Sequence, residues 1–175
     1  ADACEKSGSK MVYVSTDFIF EGSKGDYKEE DEPDPQSYYA KTKLEAERIV
    51  RQRSSDYLII RPEVLYGYNG NSSERSFTIW VYDNLKKGNQ INVVDDQYNT
   101  PTLIDDIAEA IRELLKKDRQ GIYHVAGPER LSRYEMAVRL AEVFGFDKSL
   151  IKPITSDELK QKAKRPKDSS LDTEK

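Results

Sequence analysis

The stretch Ser37-Tyr38-Tyr39-Ala40-Lys41-Thr42-Lys43 opens an apolar-periodic segment, and its reading decides the fold. If the segment is a helix, Tyr39 and Lys43 project from one face about one turn apart. An ammonium beside a phenol favours the phenolate, and such a tyrosine can exchange a proton with a carbonyl or alcohol oxygen. A Tyr and a Lys four apart also arise by chance, so the pair needs its context.

Upstream, Met11–Ser15 is a short apolar run of the kind found in buried parallel strands. The residues before it, Ala1–Lys10, read as the end of a helix followed by a glycine turn. No N-cap precedes that helix, so the sequence is expected to begin inside an α/β unit, with an N-terminal part of a longer protein missing. Downstream, Ser37 can cap a helix to about Arg53, with Leu44, Ala46, Ile49 and Val50 as its buried stripe. Tyr57–Arg61 reads as a second buried strand, leading through Pro62 to Leu65-Tyr66-Gly67. Tyr68–Glu74 reads as a loop. A helix over Ser76–Leu85, a strand at Ile91–Val94 and an extended segment to Thr102 follow. Asp105–Lys117 is an amphipathic helix, with Ile107, Ala108, Ile111, Leu114 and Leu115 on one side. Gly121–Gly127 is a strand. Ser132 caps a helix that ends at Gly145, and Ser156–Ala163 is helical. Thr16–Pro35 reads as a polar loop and Arg165–Lys175 as irregular chain. Strands alternating with helices predict a parallel sheet covered on both faces. Ligands of such sheets sit beyond the carboxyl ends of the strands, where Thr16, Arg61 and Gly127 fall.

The chain has 175 residues, enough for one compact domain or little more, and 37% are hydrophobic. A net charge of −4 argues against a nucleic-acid surface. No apolar run reaches membrane-spanning length and no signal-peptide pattern opens the chain. One cysteine, Cys4, forbids an intrachain disulfide and fits a reducing, cytoplasmic location. One histidine, His124, lies mid-strand; it reads as a packed core residue, and no metal site is expected. Trp80 and Tyr82 read as core or interface residues. Asp17 is equally a loop cap or a substrate contact.

Several segments together carry a family resemblance. Tyr13-Val14-Ser15-Thr16-Asp17-Phe18-Ile19-Phe20-Glu21-Gly22 is followed by Tyr27-Lys28-Glu29-Glu30-Asp31 and by Tyr38-Tyr39-Ala40-Lys41-Thr42-Lys43-Leu44-Glu45-Ala46-Glu47. Later come Ile60-Arg61-Pro62, Leu65-Tyr66-Gly67, Thr100-Pro101-Thr102, Asp105-Asp106-Ile107-Ala108 and Arg165-Pro166-Lys167-Asp168-Ser169-Ser170-Leu171-Asp172. In this order they resemble extended short-chain dehydrogenases/reductases, and more narrowly the dTDP-4-dehydrorhamnose reductases. The resemblance implies an α/β fold: the C-terminal part of a Rossmann-like parallel sheet with a smaller α/β substrate-binding subdomain. Residues 1–67 would belong to the NAD(P)-binding domain with the catalytic Tyr/Lys helix. Residues 68–175 would be mainly the nucleotide-sugar part, with 105–125 returning to the Rossmann sheet.

It further implies an oxidoreductase of dTDP-rhamnose biosynthesis, using NADP or NAD to reduce dTDP-4-dehydro-L-rhamnose. Thr16, Tyr39 and Lys43 would be catalytic. Tyr39 is then the general acid, Lys43 tunes it and bonds the nicotinamide ribose, and Thr16 donates to the sugar ketone. Arg61 and Pro62 would lie near the nicotinamide. Thr16, Asp17 and Arg165 would bind substrate, Arg165 at the diphosphate, where a guanidinium suits bidentate contact. Read without the resemblance, Thr16 is a loop residue bonding backbone and Arg165 part of a solvated basic tail.

Departures from the pattern are Phe18, where these reductases carry Tyr, and Val64, where many carry an aromatic. The Gly-x-x-Gly-x-x-Gly pyrophosphate turn does not occur in the sequence. The chain alone is therefore expected to be inactive and to bind a dinucleotide poorly. Arg61-Pro62-Glu63-Val64-Leu65-Tyr66-Gly67, Arg133-Tyr134-Glu135-Met136-Ala137 and Ile151-Lys152-Pro153-Ile154-Thr155 are also similar to the regulatory (beta) subunit of methionine adenosyltransferase. That similarity implies a non-catalytic binding partner as the alternative. A related epimerase or reductase acting on another nucleotide sugar is the third reading. A homodimer is compatible with all of them.

Overall fold

The computed structural model describes residues 1–67, 76–159, 163 and 165–175. A short helix, α1 (Asp2–Ser7), ends on Gly8, whose φ of 63° is the left-handed conformation that glycine adopts without strain. Then come β1 (Met11–Val14), α2 (Tyr38–Arg53), β2 (Tyr57–Pro62), β3 (Leu65–Tyr66) and α3 (Phe77–Lys86). They are followed by β4 (Ile91–Val94), β5 (Tyr98–Asn99), β6 (Thr102–Leu103), α4 (Ile104–Lys116) and β7 (Gly121–Val125). The chain closes with β8 (Leu131–Ser132), α5 (Arg133–Phe144), β9 (Ile151–Ile154) and α6 (Ser156–Leu159). The expected loop at Tyr68–Glu74 and most of the helix expected after Leu159 lie outside the described residues.

β1, β2 and β7 form a parallel sheet in the order β1-β2-β7, with Val14 opposite Ile60 and Ile60 opposite Tyr123. Alternation along β2 sends Leu58 and Ile60 toward α4, where they pack with Ile107, Ile111 and Leu114. Arg61 points to the other face, where it meets Glu47 of α2. The sheet is thus covered on both sides, as a parallel sheet requires. A second core forms where α3 and α5 pack on the parallel pair β4–β9, through Val81, Leu85, Ile91, Val93, Ala137, Ala141 and Ile151. β3 pairs with β6, and β5 with β8.

The caps read from sequence are present. Ser37 accepts from the Ala40 N–H, and Ser132 and Glu135 form a reciprocal capping box on α5, which Gly145 ends at φ 68°. The strand β9 was not foreseen, because Ile-Lys-Pro-Ile carries a proline and only two apolar residues. Proline is tolerated there because β9 is an edge strand of a two-stranded pair.

Three expectations change. On α2 the buried residues are Ala40, Leu44, Glu47 and Val50, while Ile49 is exposed. Glu47 takes the inward position because Arg61 meets it there. The Thr16–Pro35 loop is polar in composition, yet Ile19 and Phe20 are fully buried and Tyr27 stacks on Phe20. The segment after Arg165 is irregular, and although Arg165 and Lys167 are exposed its middle is not: Ser169, Ser170 and Leu171 are buried. This tail runs between the Thr16 loop and β5. Asp168 N–H bonds Gly22 O, Tyr98 N–H bonds Lys167 O, and Tyr27 N–H bonds Ser170 O. Among the described residues no helix is long and apolar enough to cross a membrane.

Candidate functional site

Ser15 and Thr16 follow β1 directly and start the site. Val14, the last residue of β1, presents its carbonyl to the Lys43 ammonium at 2.9 Å. That bond fixes Lys43 against the strand end, with Nζ 5.2 Å from the Tyr13 ring centroid and 6.0 Å from that of Tyr39. The helical spacing read from sequence therefore does place Tyr39 and Lys43 together. Phe18 meets the Tyr39 ring edge-on at 6.3 Å, so the residue that lacks the expected hydroxyl still locates the phenol by packing. Tyr39 is half exposed, at 51%, and its ring is open to a ligand.

Thr16 is buried behind this face. Its Oγ1 accepts from the Phe18 N–H and donates to Asp17 Oδ1 at 3.0 Å. The donor expected to serve a ketone is thus directed inward. Asp17 departs from its expected place as a substrate contact. Its carboxyl is 3% exposed and lies 2.7 Å from Ser169 Oγ, so it braces the loop from within. Arg61 departs too. Its guanidinium makes paired bonds to Glu47, at 3.0 and 2.8 Å, and a third to Glu29 O, with the Phe20 ring 5.4 Å away. A side chain so engaged and 3% exposed is not offered to a cofactor. Pro62 ends β2, buried and paired with Val125.

Glu63 was missed by sequence reasoning, for nothing about a lone glutamate after a strand marks it as buried. It is wholly enclosed. Oε1 receives Asn99 Nδ2 and Ser169 Oγ, each at 2.8 Å; Oε2 receives the Thr100 N–H at 2.6 Å and the Thr100 hydroxyl. Burial first, and the Asp17 charge second, push Glu63 up to about 8. Burial likewise raises Asp17, to about 6, against the pull of its bonds from Ser169 and Thr16. The next residue, Val64, is held at φ 39°, a strained conformation for a β-branched side chain. Thr102 clamps it there, since its Oγ1 donates to the Glu63 carbonyl and its N–H to that of Val64.

Arg133, also unforeseen, opens α5 and stacks over Phe77 at 5.1 Å. Burial, and then the neighbouring charge of Arg165, lower it to about 10, while Asp17 and Glu63 oppose that shift. Arg165 is exposed at the head of the tail, so the two guanidiniums share one region where an anion would relieve their repulsion. His124 is a packed core residue, as read from sequence. It is 6% exposed, its ring contacts the Asp172 carbonyl at 3.2 Å, and burial lowers its pKa. No cluster of metal-ligating side chains occurs among the described residues. A cavity of about 720 Å³ lies between α3 and α5, lined by Tyr82, Met136, Leu140, Val143 and Phe144 among others; Thr16, Tyr39 and Lys43 do not line it.

One observation bears on a bound cofactor. The Ser15 hydroxyl is buried at the carboxyl end of β1 and has no hydrogen-bond partner among the described residues. An orphaned polar atom one residue past the carbonyl that pins Lys43, at a parallel strand end, fits a polar ligand there.

Comparison with known proteins places this geometry. Residues 1–175 match the family of the RmlD substrate binding domain. Methionine adenosyltransferase 2 subunit beta from Bos taurus is 34% identical over 171 residues, 94% of this chain and 51% of that protein. A structure of a hypothetical dTDP-4-dehydrorhamnose reductase from Sulfolobus tokodaii is 39% identical, with a TM-score of 0.85, and is matched over 98% of this chain and 58% of that one. The dTDP-4-dehydrorhamnose reductase from Bacillus anthracis, solved in complex with NADP, is 30% identical with a TM-score of 0.91, matched over 97% and 59%. The chain thus spans a little over half the length of each of these proteins.

Proposed function

This chain belongs to the RmlD substrate-binding-domain family, and on that premise we propose that it carries the catalytic and sugar-binding part of an NAD(P)H-dependent reductase. The substrate is a nucleotide-sugar 4-ketone, dTDP-4-dehydro-L-rhamnose, and the product dTDP-L-rhamnose. The observation that carries this reading is Lys43 held on the Val14 carbonyl, one helical turn from Tyr39, at the end of the strand that leads into Thr16. In this reading residues 1–67 and 105–125 form the cofactor side, and the rest of 68–175 the sugar-nucleotide side.

The chemistry follows from the residues. The half-exposed Tyr39 delivers its proton to the ketone oxygen as charge develops there. Lys43 stabilises the phenolate left behind, and its bond to Val14 keeps the ammonium in place without reorganisation. Thr16 supplies a second donor to the oxygen once its hydroxyl turns outward. Arg165, with Arg133 behind it, binds the diphosphate and holds the sugar in register. When bound, NADPH or NADH would supply the hydride; the Ser15 hydroxyl, Tyr39 and Lys43 would hold its nicotinamide riboside.

The test is NADPH oxidation in the presence of the keto sugar nucleotide. It is run on the longest polypeptide in which the chain is encoded, because the sequence has no Gly-x-x-Gly-x-x-Gly turn. Turnover that vanishes in Lys43→Met supports the reading. The 34% identity to a methionine adenosyltransferase beta subunit favours a second one, a regulatory binding partner. Absence of NADPH oxidation together with co-purification of a methionine adenosyltransferase would establish it instead.

A further inference from the structure

Behind Thr16, three oxygens lie in a buried row: Asp17 Oδ2, Ser169 Oγ and Glu63 Oε1, with separations of 2.7 and 2.8 Å. All three residues are at most 3% exposed. Ser169 has a single hydroxyl hydrogen and can donate to only one of the two carboxyls. The other contact is a hydrogen bond only if that carboxyl carries a proton of its own. Two ionised carboxylates across one serine oxygen would face each other with one contact unsatisfied in a dry interior. The charged groups facing the pair agree. Arg133 is the cation acting on both, with Arg165 beyond it, so one proton on the pair leaves one negative charge opposite the Arg133 guanidinium.

We propose that Asp17 and Glu63 hold one proton between them across Ser169, and that Glu63 is thereby the positioning residue that frees the Thr16 hydroxyl to face the substrate oxygen. Glu63 is built to take the charge, because Asn99 Nδ2, the Thr100 N–H and the Thr100 hydroxyl already donate to it. Asp17 then carries the proton, and its Oδ2–H donates to Ser169, whose own hydrogen goes to Glu63. Asp17 Oδ1 becomes the carbonyl oxygen of a neutral acid, a weaker acceptor for Thr16, which lies 3.0 Å away. Thr16 can turn outward. When the last proton leaves, Asp17 becomes a carboxylate and draws the Thr16 hydrogen back. Ser169 belongs to the same tail as Arg165, so the row also ties the diphosphate end of the site to the catalytic loop.

This inference rests on the reductase reading for the role of Thr16, but not for the shared proton. The first experiment is therefore 13C NMR of the side-chain carboxyls in the unmodified chain, titrated from pH 5 to 10. A buried carboxyl that keeps its proton above pH 6 and releases it near pH 8, as the coupled pair loses its last proton, is expected. The absence of any protonated carboxyl above pH 6 overturns the proposal. The second is the pH profile of kcat in the polypeptide used for the reductase assay. Wild type should lose kcat on an alkaline limb near pH 8. Asp17→Asn, neutral at every pH, should lose that limb. Glu63→Gln leaves Asp17 alone, without a second carboxylate charge to hold the proton, and the limb should move to lower pH. Glu63→Ala should lower kcat by about 10², the scale of losing one oxyanion donor, with KM little changed. Parallel losses in Asp17→Asn and Glu63→Gln, with the alkaline limb unmoved, would mean a merely structural role and defeat the proposal. If wild type reduces no keto sugar, the positioning role falls with the reductase reading, and the NMR titration alone decides the shared proton.

Discussion

Replacing Arg61 with alanine should destabilise the fold severely, and the structure sets the scale. Arg61 and Glu47 are each about 2–3% exposed and joined by two charge-assisted bonds, at 3.0 and 2.8 Å. Such bonds are worth about 1.5–3 kcal/mol each, so their loss is about 3–6 kcal/mol. Removing one partner of a buried ion pair costs about 3–5 kcal/mol by the independent route of an uncompensated charge. The two routes agree. At about 2–4 °C per kcal/mol for a chain of this size, the midpoint should fall by about 6–20 °C. Glu47→Ala should fall by a similar amount. The double variant Arg61→Met with Glu47→Leu should recover most of the loss, because an apolar pair of similar volume carries no desolvation penalty. Urea denaturation of wild type, Arg61→Ala, Glu47→Ala and the Arg61→Ala/Glu47→Ala double variant closes the cycle, and added salt should change the coupling little, since the pair is buried. If Arg61→Ala shifts the midpoint by less than about 2 °C, or the coupling is near zero, Arg61 is not a buried strut and its place near the cofactor must be reopened.

Other outcomes follow from the same geometry. Tyr39→Phe and Lys43→Met should each lower kcat by about 10²–10⁴ in the NADPH assay while leaving thermal stability nearly unchanged, because Tyr39 is half exposed. The proton kept by the coupled Asp17–Glu63 pair makes stability pH-dependent. The folded state keeps a proton that the unfolded chain loses near pH 4.5, so this contribution is complete below that pH and is lost as pH rises through about 8. Urea midpoints should decline across that window, by at most about 1.4 kcal/mol per pH unit, and Glu63→Gln should flatten the decline. Gly127→Ala should cost about 1–3 kcal/mol through overpacking, since the new Cβ would meet the Pro101 carbonyl oxygen at 2.0 Å; a melting curve matching wild type would contradict it.

The local features were legible because they are short-range. The Ser37 and Ser132 caps, the Gly8 and Gly145 stops and the one-turn spacing of Tyr39 and Lys43 depend on residues within four positions. The alternation of apolar runs likewise announced a parallel sheet, and the sheet has the expected direction in every pair of β1, β2 and β7. What failed were assignments needing a partner far away in the chain. Ile49 was chosen for the α2 core because it is apolar, but Glu47 is buried because Arg61 waits 14 residues on. Asp17 was ambiguous because its partner Ser169 lies 152 residues away.

The amino-acid order by itself therefore determined the periodicities, the helix ends and the pairing of phenol with amine, all consequences of backbone geometry over a few residues. Which polar groups are sealed inside was decided only by the tertiary structure. A charge can be buried only where another element brings a counter-charge or a donor to it. Glu63, enclosed by Asn99, Thr100 and Ser169, has each of those donors at least 36 residues distant.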